Sequence, residues 1–347
     1  MSDEALVVAQ QPSPQPRTAG NVFKNVKVLR DIPASQWQNT MAFISASLGV
    51  DCSFCHIRPT MEKDDKSTKQ TARQMMLMMS EINKNFGGKI VVNCATCHRG
   101  QTKPAVIPPL PSLTTPFISS TQADQNSQPT VDQILDRYIK VLGGNQALDK
   151  IKTRTRRGSV EVAGLKGTFE LHEAAPNKSL LLGSLPPPLG SVHQAFDGTI
   201  GWVKNQSGVF EMRGEGLTQA KREAEFFFDI KLKEQFKTMN VVGRDRVGNR
   251  EFYVIEGTRP DGQVEKLFFD VGSGLLVRRY WETPTYFGQL PNSSDFDSYR
   301  KVGNVWSPFV IRRSRGGQTF LQTITELKVN NPLDDSLFKK PVNPNKP

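Results

Sequence analysis

All four cysteines of the 347-residue chain fall in two five-residue runs, Cys52-Ser53-Phe54-Cys55-His56 and Cys94-Ala95-Thr96-Cys97-His98. Two thiols three positions apart reach the two vinyl groups of one haem. The histidine that follows turns its imidazole onto the iron, so this is the attachment spacing of c-type haem. A four-cysteine zinc site wants its pairs about 15–20 residues apart. Here 38 residues lie between Cys55 and Cys94, and zinc does not account for a histidine after each pair. A redox dithiol or a structural disulfide leaves those histidines equally unexplained. The sequence therefore predicts two covalent haems, with Cys52, Cys55, Cys94 and Cys97 attaching them and His56 and His98 on the irons.

The sixth ligand decides what such haems do. A Met/His pair suits electron transfer and raises the potential, whereas an open position allows catalysis or small-molecule binding. The elements that must supply it are the helices ahead of each motif. Asp31-Ile32-Pro33 precedes a helix predicted over Ala34–Leu48, with Trp37, Met41, Ile44 and Leu48 on one face and Gly49 as its terminator. Met41 lies 15 positions ahead of His56, and the Gly49-Val50 turn lets its helix fold back across the first haem. A second helix is predicted over Thr68–Phe86, stopped by Gly87-Gly88. Its apolar positions Ala72, Met75, Met79, Ile82 and Phe86 recur at helical spacing, and at ~100° per residue Met75, Met78, Met79 and Ile82 share a face. Spacing alone slightly favours apolar filler for any one of these methionines.

The segment Asn25–Pro104, about a quarter of the chain, resembles the cytochrome c subunit family of photosynthetic reaction centres. The residues that carry the resemblance are Met41-Ala-Phe-Ile-Ser-Ala-Ser-Leu-Gly-Val-Asp-Cys-Ser-Phe-Cys-His56, Ala72-Arg-Gln-Met-Met-Leu-Met-Met-Ser-Glu-Ile-Asn83 and Val92-Asn-Cys-Ala-Thr-Cys-His-Arg-Gly100. The resemblance implies that each haem lies beside the helix preceding it and takes its sixth ligand from a methionine there. It points to Met41 for the first haem and Met75 for the second, with Met78 and Met79 as the alternatives. It further implies a redox protein or a membrane electron-transfer complex as partner, photosynthetic in the family's case, and a periplasmic setting peripheral to a membrane. Subunits of that family typically carry four haems, and this chain has two motifs; dihaem relatives look closer to it.

The rest of the chain has a different texture. Residues 104–130 hold six of the 23 prolines, among Thr, Ser and Gln, and read as an extended linker. Residues 131–341 open with a helix, Val131–Leu142, stopped by Gly143-Gly144. Runs such as Ser159–Val162, Thr168–Leu171, Glu251–Ile255 and Leu321–Leu327 then alternate apolar and polar residues, the mark of strands with one buried face. Leu217–Phe236 reads as a further helix. This unit more loosely resembles periplasmic carriers of the outer-membrane lipoprotein-sorting type, on Asp132–Gly144, Phe196-Asp197-Gly198, Gly201-Trp202, Phe268-Phe269-Asp270 and Leu275-Leu276-Val277. That resemblance implies an antiparallel half-barrel over helices with an apolar groove.

The expected fold is thus multidomain, α followed by α+β. A small helical dihaem c-type cytochrome domain (21–103) and a Pro-rich linker (104–130) lead to an antiparallel β half-barrel domain with helices (131–341). Residues 1–20, rich in Gln, Pro and Ser, are expected to be a disordered N-terminus or the remnant of an export signal, and 342–347 a tail. A formal net charge of +11 is spread along the chain, against the block or stripe of a nucleic-acid binder. No run of about 18 apolar residues marks a transmembrane helix. No Ser/His/Asp arrangement, phosphate-cradling loop or paired-carboxylate site stands out, and His172 and His193 read as ordinary sheet or loop histidines. The function expected is electron transfer rather than catalysis. The alternatives are a haem enzyme with an open sixth position, or a lipid- or quinone-binding carrier domain with an appended cytochrome.

Overall fold

The computed structural model describes residues 17–104, 128–205, 207–247, 249–315 and 318–341. Most of the expected linker and residues 1–16 lie outside them. Residues 17–20, expected within a disordered terminus, are instead paired: Thr18 bridges Pro33, and Ala19 N–H donates to the Ile32 carbonyl at 2.8 Å.

The N-terminal unit is helical. Helix α1 (Ala19–Val22) packs with Val26 and Ile32 under the stacked rings of Phe23 and Trp37. A 3-10 turn at Ala34–Gln36 runs into α2 (Trp37–Leu48), which ends at Gly49 in the left-handed conformation. Helix α3 (Ser67–Lys84) and the short α4 (Cys94–His98) follow. Helix α2 presents Phe43 and Ile44, both buried, to the β-rich unit.

The C-terminal unit starts with α5 (Val131–Leu142), bounded as its sequence predicts. Thr130 and Gln133 form a reciprocal cap at its start, and Gly143, at φ +125°, ends it. After α6 (Asn145–Leu148) comes a run of antiparallel strands. These are β1 (Thr153–Val162), β2 (Leu165–Ala174), β3 (Lys178–Ser184), β4 (Ser191–Phe196), β5 (Gly201–Asn205) and β6 (Gly208–Glu211). Helices α7 (Gly214–Ala224) and α8 (Leu232–Gln235) interrupt them. The remaining strands are β7 (Thr238–Val247), β8 (Arg250–Thr258), β9 (Val264–Asp270), β10 (Leu276–Thr285), β11 (Gly288–Asp297), β12 (Arg300–Val302), β13 (Val305–Ser307), β14 (Val310–Arg315) and β15 (Gln318–Val329).

Thirteen of these strands make one sheet in the order β6-β5-β4-β3-β2-β1-β15-β14-β11-β10-β9-β8-β7, while β12 pairs with β13 alone. The two edge strands, β6 and β7, are not paired to each other among the described residues, so the sheet is open. Strand β15 zips against β1, with Arg157 opposite Glu326.

One face of this sheet is filled. Ile134, Leu135, Tyr138 and Leu142 of α5 join Phe169, Ile255, Leu267, Phe269 and Leu276 in the largest core. The expected helix over Leu217–Phe236 is broken. Between α7 and α8 the chain runs as a strap through Glu225–Lys231. Arg154 donates to the Phe226 carbonyl at 2.6 Å, Arg279 to the Phe228 carbonyl at 3.2 Å, and the Tyr138 hydroxyl to the Asp229 carbonyl at 2.7 Å. Three strap carbonyls are thus held by side chains from α5, β1 and β10. Both guanidinium groups also stack on strap rings, Arg154 at 4.2 Å from the Phe226 centroid and Arg279 at 3.7 Å from that of Phe228. Across the sheet, a smaller core of Leu180, Ala195 and Trp202 is covered by Phe338.

Candidate haem sites

The first motif is built around a carboxylate and the start of α3. Asp51 caps the tight turn Cys52–Phe54, accepting from Ser53 N at 2.7 Å. Lys66 donates to the Ser53 carbonyl, and the Thr68 hydroxyl to that of Phe54 at 2.5 Å, so the motif is stapled to the helix behind it. Lys69, only 8% exposed, donates its ammonium to the carbonyls of Met61, Glu62 and Lys63 at 3.0, 2.9 and 2.7 Å. That curls the intervening loop back over the motif. The Met61 carbonyl also lies 2.8 Å from His56 Nδ1.

A carbonyl only accepts, so Nδ1 carries the proton and Nε2 is left with its lone pair. Burial, and the cations of Lys69, Arg73 and Lys66, push the His56 pKa below its usual value. Both effects favour the neutral imidazole that binds a metal. Asp64 closes the arrangement from the side. It meets Lys27 at 2.9 Å, Arg73 at 2.9 Å and Lys69 at 3.3 Å, and accepts from Asn25 Nδ2 at 2.9 Å.

The second motif is built on two asparagines. The side-chain carbonyl of Asn83, near the end of α3, accepts from Val91 N and Val92 N at 3.0 Å, and its amide donates to the Val92 carbonyl at 2.9 Å. This fixes the extended chain leading into α4. Asn93 then caps α4: its Oδ1 accepts from Thr96 N at 3.1 Å, while its own N–H donates to Thr96 Oγ1 at 3.0 Å. Helix α4 is the motif itself, Cys94–His98, and it ends at Arg99 and Gly100, both at positive φ. That turn brings the Gln101 carbonyl to 2.9 Å from His98 Nδ1. His98 is therefore held in the same tautomer as His56, with Nε2 free. Burial raises the pKa of the Cys55 and Cys94 thiols.

The methionines of α3 divide between two faces. Met76 and Met79 pack inward with Met41, Phe43, Ile44 and Phe287. Met75 and Met78 point outward, 44% and 53% exposed, in line with the exposed Ile82 and Phe86. Met79, grouped by period with Met75, lies on the inward side with Met41. Met41 sits partly buried on α2 in the same cluster as Cys94 and Ala95.

The residues present fit covalent haem. Two cysteine pairs, two imidazoles with Nδ1 tied to carbonyls, and an apolar open face on α3 are what a flat hydrophobic macrocycle needs. Among the described residues no cluster of His, Cys, Asp and Glu is arranged to hold a bare metal ion. His172 lies buried between Thr155 Oγ1 at 3.2 Å and Glu170 at 2.9 Å, and His193 sits on β4, so both serve the sheet. Sequence reasoning missed Lys69, Asn83 and Asn93. Only the capping pattern Asn93-x-x-Thr96 announced itself in the sequence.

A family model described as the photosynthetic reaction centre cytochrome C subunit matches residues 2–134. The photosynthetic reaction center cytochrome c subunit of Thermochromatium tepidum is 30% identical over 106 residues, covering 29% of this chain and 26% of that protein. That of Roseobacter denitrificans is 32% identical over 100 residues, covering 26% and 27%. Cytochrome c-554 of Chloroflexus aurantiacus is 32% identical over 81 residues, covering 21% and 20%. The chain spans about a quarter of the length of the curated relatives it matches. Among solved structures, a LolA superfamily protein from Nitrosomonas europaea is similar with a TM-score of 0.44 and 12% identity, covering 61% of this chain and 99% of that one. A putative outer membrane lipoprotein-sorting protein domain from Vibrio parahaemolyticus gives 0.40 and 11%, covering 59% and 95%. The haem-motif region of this chain is thus similar to the photosynthetic reaction centre cytochrome c subunits.

Proposed function

We propose that the chain is an electron-transfer protein carrying two covalent c-type haems with His/Met ligation. The observation that carries this reading is the pair of histidine tethers, His56 Nδ1 to the Met61 carbonyl and His98 Nδ1 to the Gln101 carbonyl. Each leaves Nε2 as the metal-facing nitrogen, immediately after a Cys-x-x-Cys pair. Bound haem supplies one-electron ferric/ferrous chemistry. Cys52 and Cys55 attach the first haem and Cys94 and Cys97 the second. Met41 and Met75 would provide the sixth ligands, with Met78 and Met79 the alternatives for the second haem. A thioether ligand would favour the ferrous state and, by filling the sixth position, would leave the haem to electron transfer.

The partners are a redox donor and acceptor, one of them a membrane electron-transfer complex, and the setting is the periplasm. The similarity to reaction-centre subunits supports both. Among the described residues no helix is long and apolar enough to cross a membrane.

The test is ligand replacement in the holoprotein. Met41→Ala and Met75→Ala are each expected to convert one haem to a high-spin spectrum. A Met75→Ala spectrum identical to the parent, with loss of low-spin character in Met78→Ala, moves the ligand to Met78. No change in any of these variants or in Met79→Ala overturns Met/His ligation.

A further inference from the structure

The β10–β11 hairpin leaves the sheet and enters the helical unit. Phe287 at its tip is 2% exposed and Leu290 is fully buried, although loop tips are ordinarily solvated. The Phe287 ring lies 6.0 Å from that of Phe43 on α2, and the two residues share a cluster with Met76, Met79, Cys94 and Ala95. The Phe287 carbonyl accepts from Asn93 Nδ2 at 2.9 Å, across 194 residues of sequence. A second tie lies nearby: Arg315 of β14, the neighbour of β11, donates to Asn39 Oδ1 on α2.

The Asn93 contact matters because a carboxamide has one donor end and one acceptor end. With Nδ2 committed to Phe287, Oδ1 is aimed at Thr96 N, where it caps α4. We propose that the β10–β11 hairpin is a positioning element for the second haem, orienting Asn93 and through it the helix that carries Cys94, Cys97 and His98. The described contacts of the first motif come instead from Lys66, Thr68, Lys69 and the Met61 carbonyl, all local. The hydrogen bond from the β-rich unit therefore falls on the second motif, while its Phe287 ring also packs in the cluster that holds Met41 of α2. This inference rests on the dihaem reading.

The test uses the full-length holoprotein. Asn93→Asp keeps a good helix cap but has no N–H for the Phe287 carbonyl. Phe287→Ala keeps the carbonyl and removes the ring. Haem-bearing peptides are first counted by mass, which reports on the dihaem reading by itself. Hydrogen exchange is then followed in peptides covering 93–101 and 52–61, beside a two-component redox titration. The expected result in Asn93→Asp is faster exchange in 93–101 alone and a shift in one midpoint potential, with the other unmoved; Phe287→Ala, whose ring also packs in the cluster of Met41, should speed exchange in 93–101 more than in 52–61. Asn93→Ala, which also loses the cap, should show a larger effect of the same kind. Unchanged exchange and potentials in folded Asn93→Asp and Phe287→Ala proteins would overturn the proposal, as would equal changes at both motifs in Asn93→Asp. If haem is not found in pairs, the dihaem reading fails while the exchange data still decide what the hairpin holds.

Discussion

Gly49 and Gly100 meet where the two haem motifs join the same helix end: a β-carbon built on Gly49 would lie 2.1 Å from the Gly100 carbonyl oxygen. The Gly100 N–H donates to the Ser47 carbonyl at 2.8 Å. Gly49 is the left-handed cap of α2, three residues before Cys52, and Gly100 follows His98 by two. One contact thus ties the entrance of the first motif to the exit of the second.

Gly49→Ala should be costly for two reasons. A left-handed non-glycine residue loses about 1–2 kcal/mol, and the added carbon also overlaps the carbonyl oxygen of Gly100, a residue whose N–H is held by Ser47. Thermal unfolding of the holoprotein should show a clear drop in midpoint. Gly88→Ala, at φ +75° but with open space around it, should lose the conformational part alone.

Lys69→Met should loosen the first site. It removes the part-buried bonds of the ammonium to the Met61, Glu62 and Lys63 carbonyls, and a hydrogen bond to a charged group contributes about 1.5–3 kcal/mol. The His56 tether shares the Met61 carbonyl, so the first haem's midpoint potential should move while the second stays put. Denaturant unfolding and a redox titration read the two effects separately.

Asp64 should make this corner of the protein acid-sensitive. Hydrogen bonds from Arg73 and Lys27 hold its carboxyl well below the usual carboxylate range. A folded-state value below the unfolded one, about 3.9, means the stabilisation is complete above that pH and declines as the pH falls below it. Asp64→Asn should therefore be less stable than the parent at pH 7, with the gap narrowing toward pH 3. Urea midpoints at the two pH values measure it, and a gap that widens in acid would contradict the assignment.

Arg279→Met should destabilise the β-rich unit. Arg279 is 1% exposed and pairs with Glu265 at 2.7 Å and Asp229 at 3.3 Å. Breaking a buried pair from one side costs about 3–5 kcal/mol. Arg259, at 3.3 Å from Glu265, keeps that carboxylate from being wholly unpartnered and places the loss at the lower end. Chemical denaturation followed by strap-proximal fluorescence would record it.

What could be read from the sequence was whatever is local. The Cys-x-x-Cys-His runs, the α2 and α5 boundaries with their glycines, and the alternating strands are each dictated by neighbours a few positions away. The break in Leu217–Phe236 was hidden because Phe226, Phe227 and Phe228 have no helical period, and because Arg154, Arg279 and Tyr138 bond the strap from far along the chain. Lys69 looks like any surface lysine until the Met61–Lys63 loop folds onto it. Asn93 shows its capping role in sequence, but its amide's partner comes from a hairpin on the other unit. The split of the α3 methionines into a packed pair, Met76 and Met79, and an open pair, Met75 and Met78, likewise follows from where α2 and Phe287 sit rather than from period alone.

The most direct test of the central claim is an optically monitored redox titration of the purified holoprotein. Two one-electron components, both low-spin in the oxidised and the reduced form, are the predicted result. A chain without covalent haem, or a high-spin component that binds carbon monoxide without displacing a ligand, would contradict the electron-transfer account.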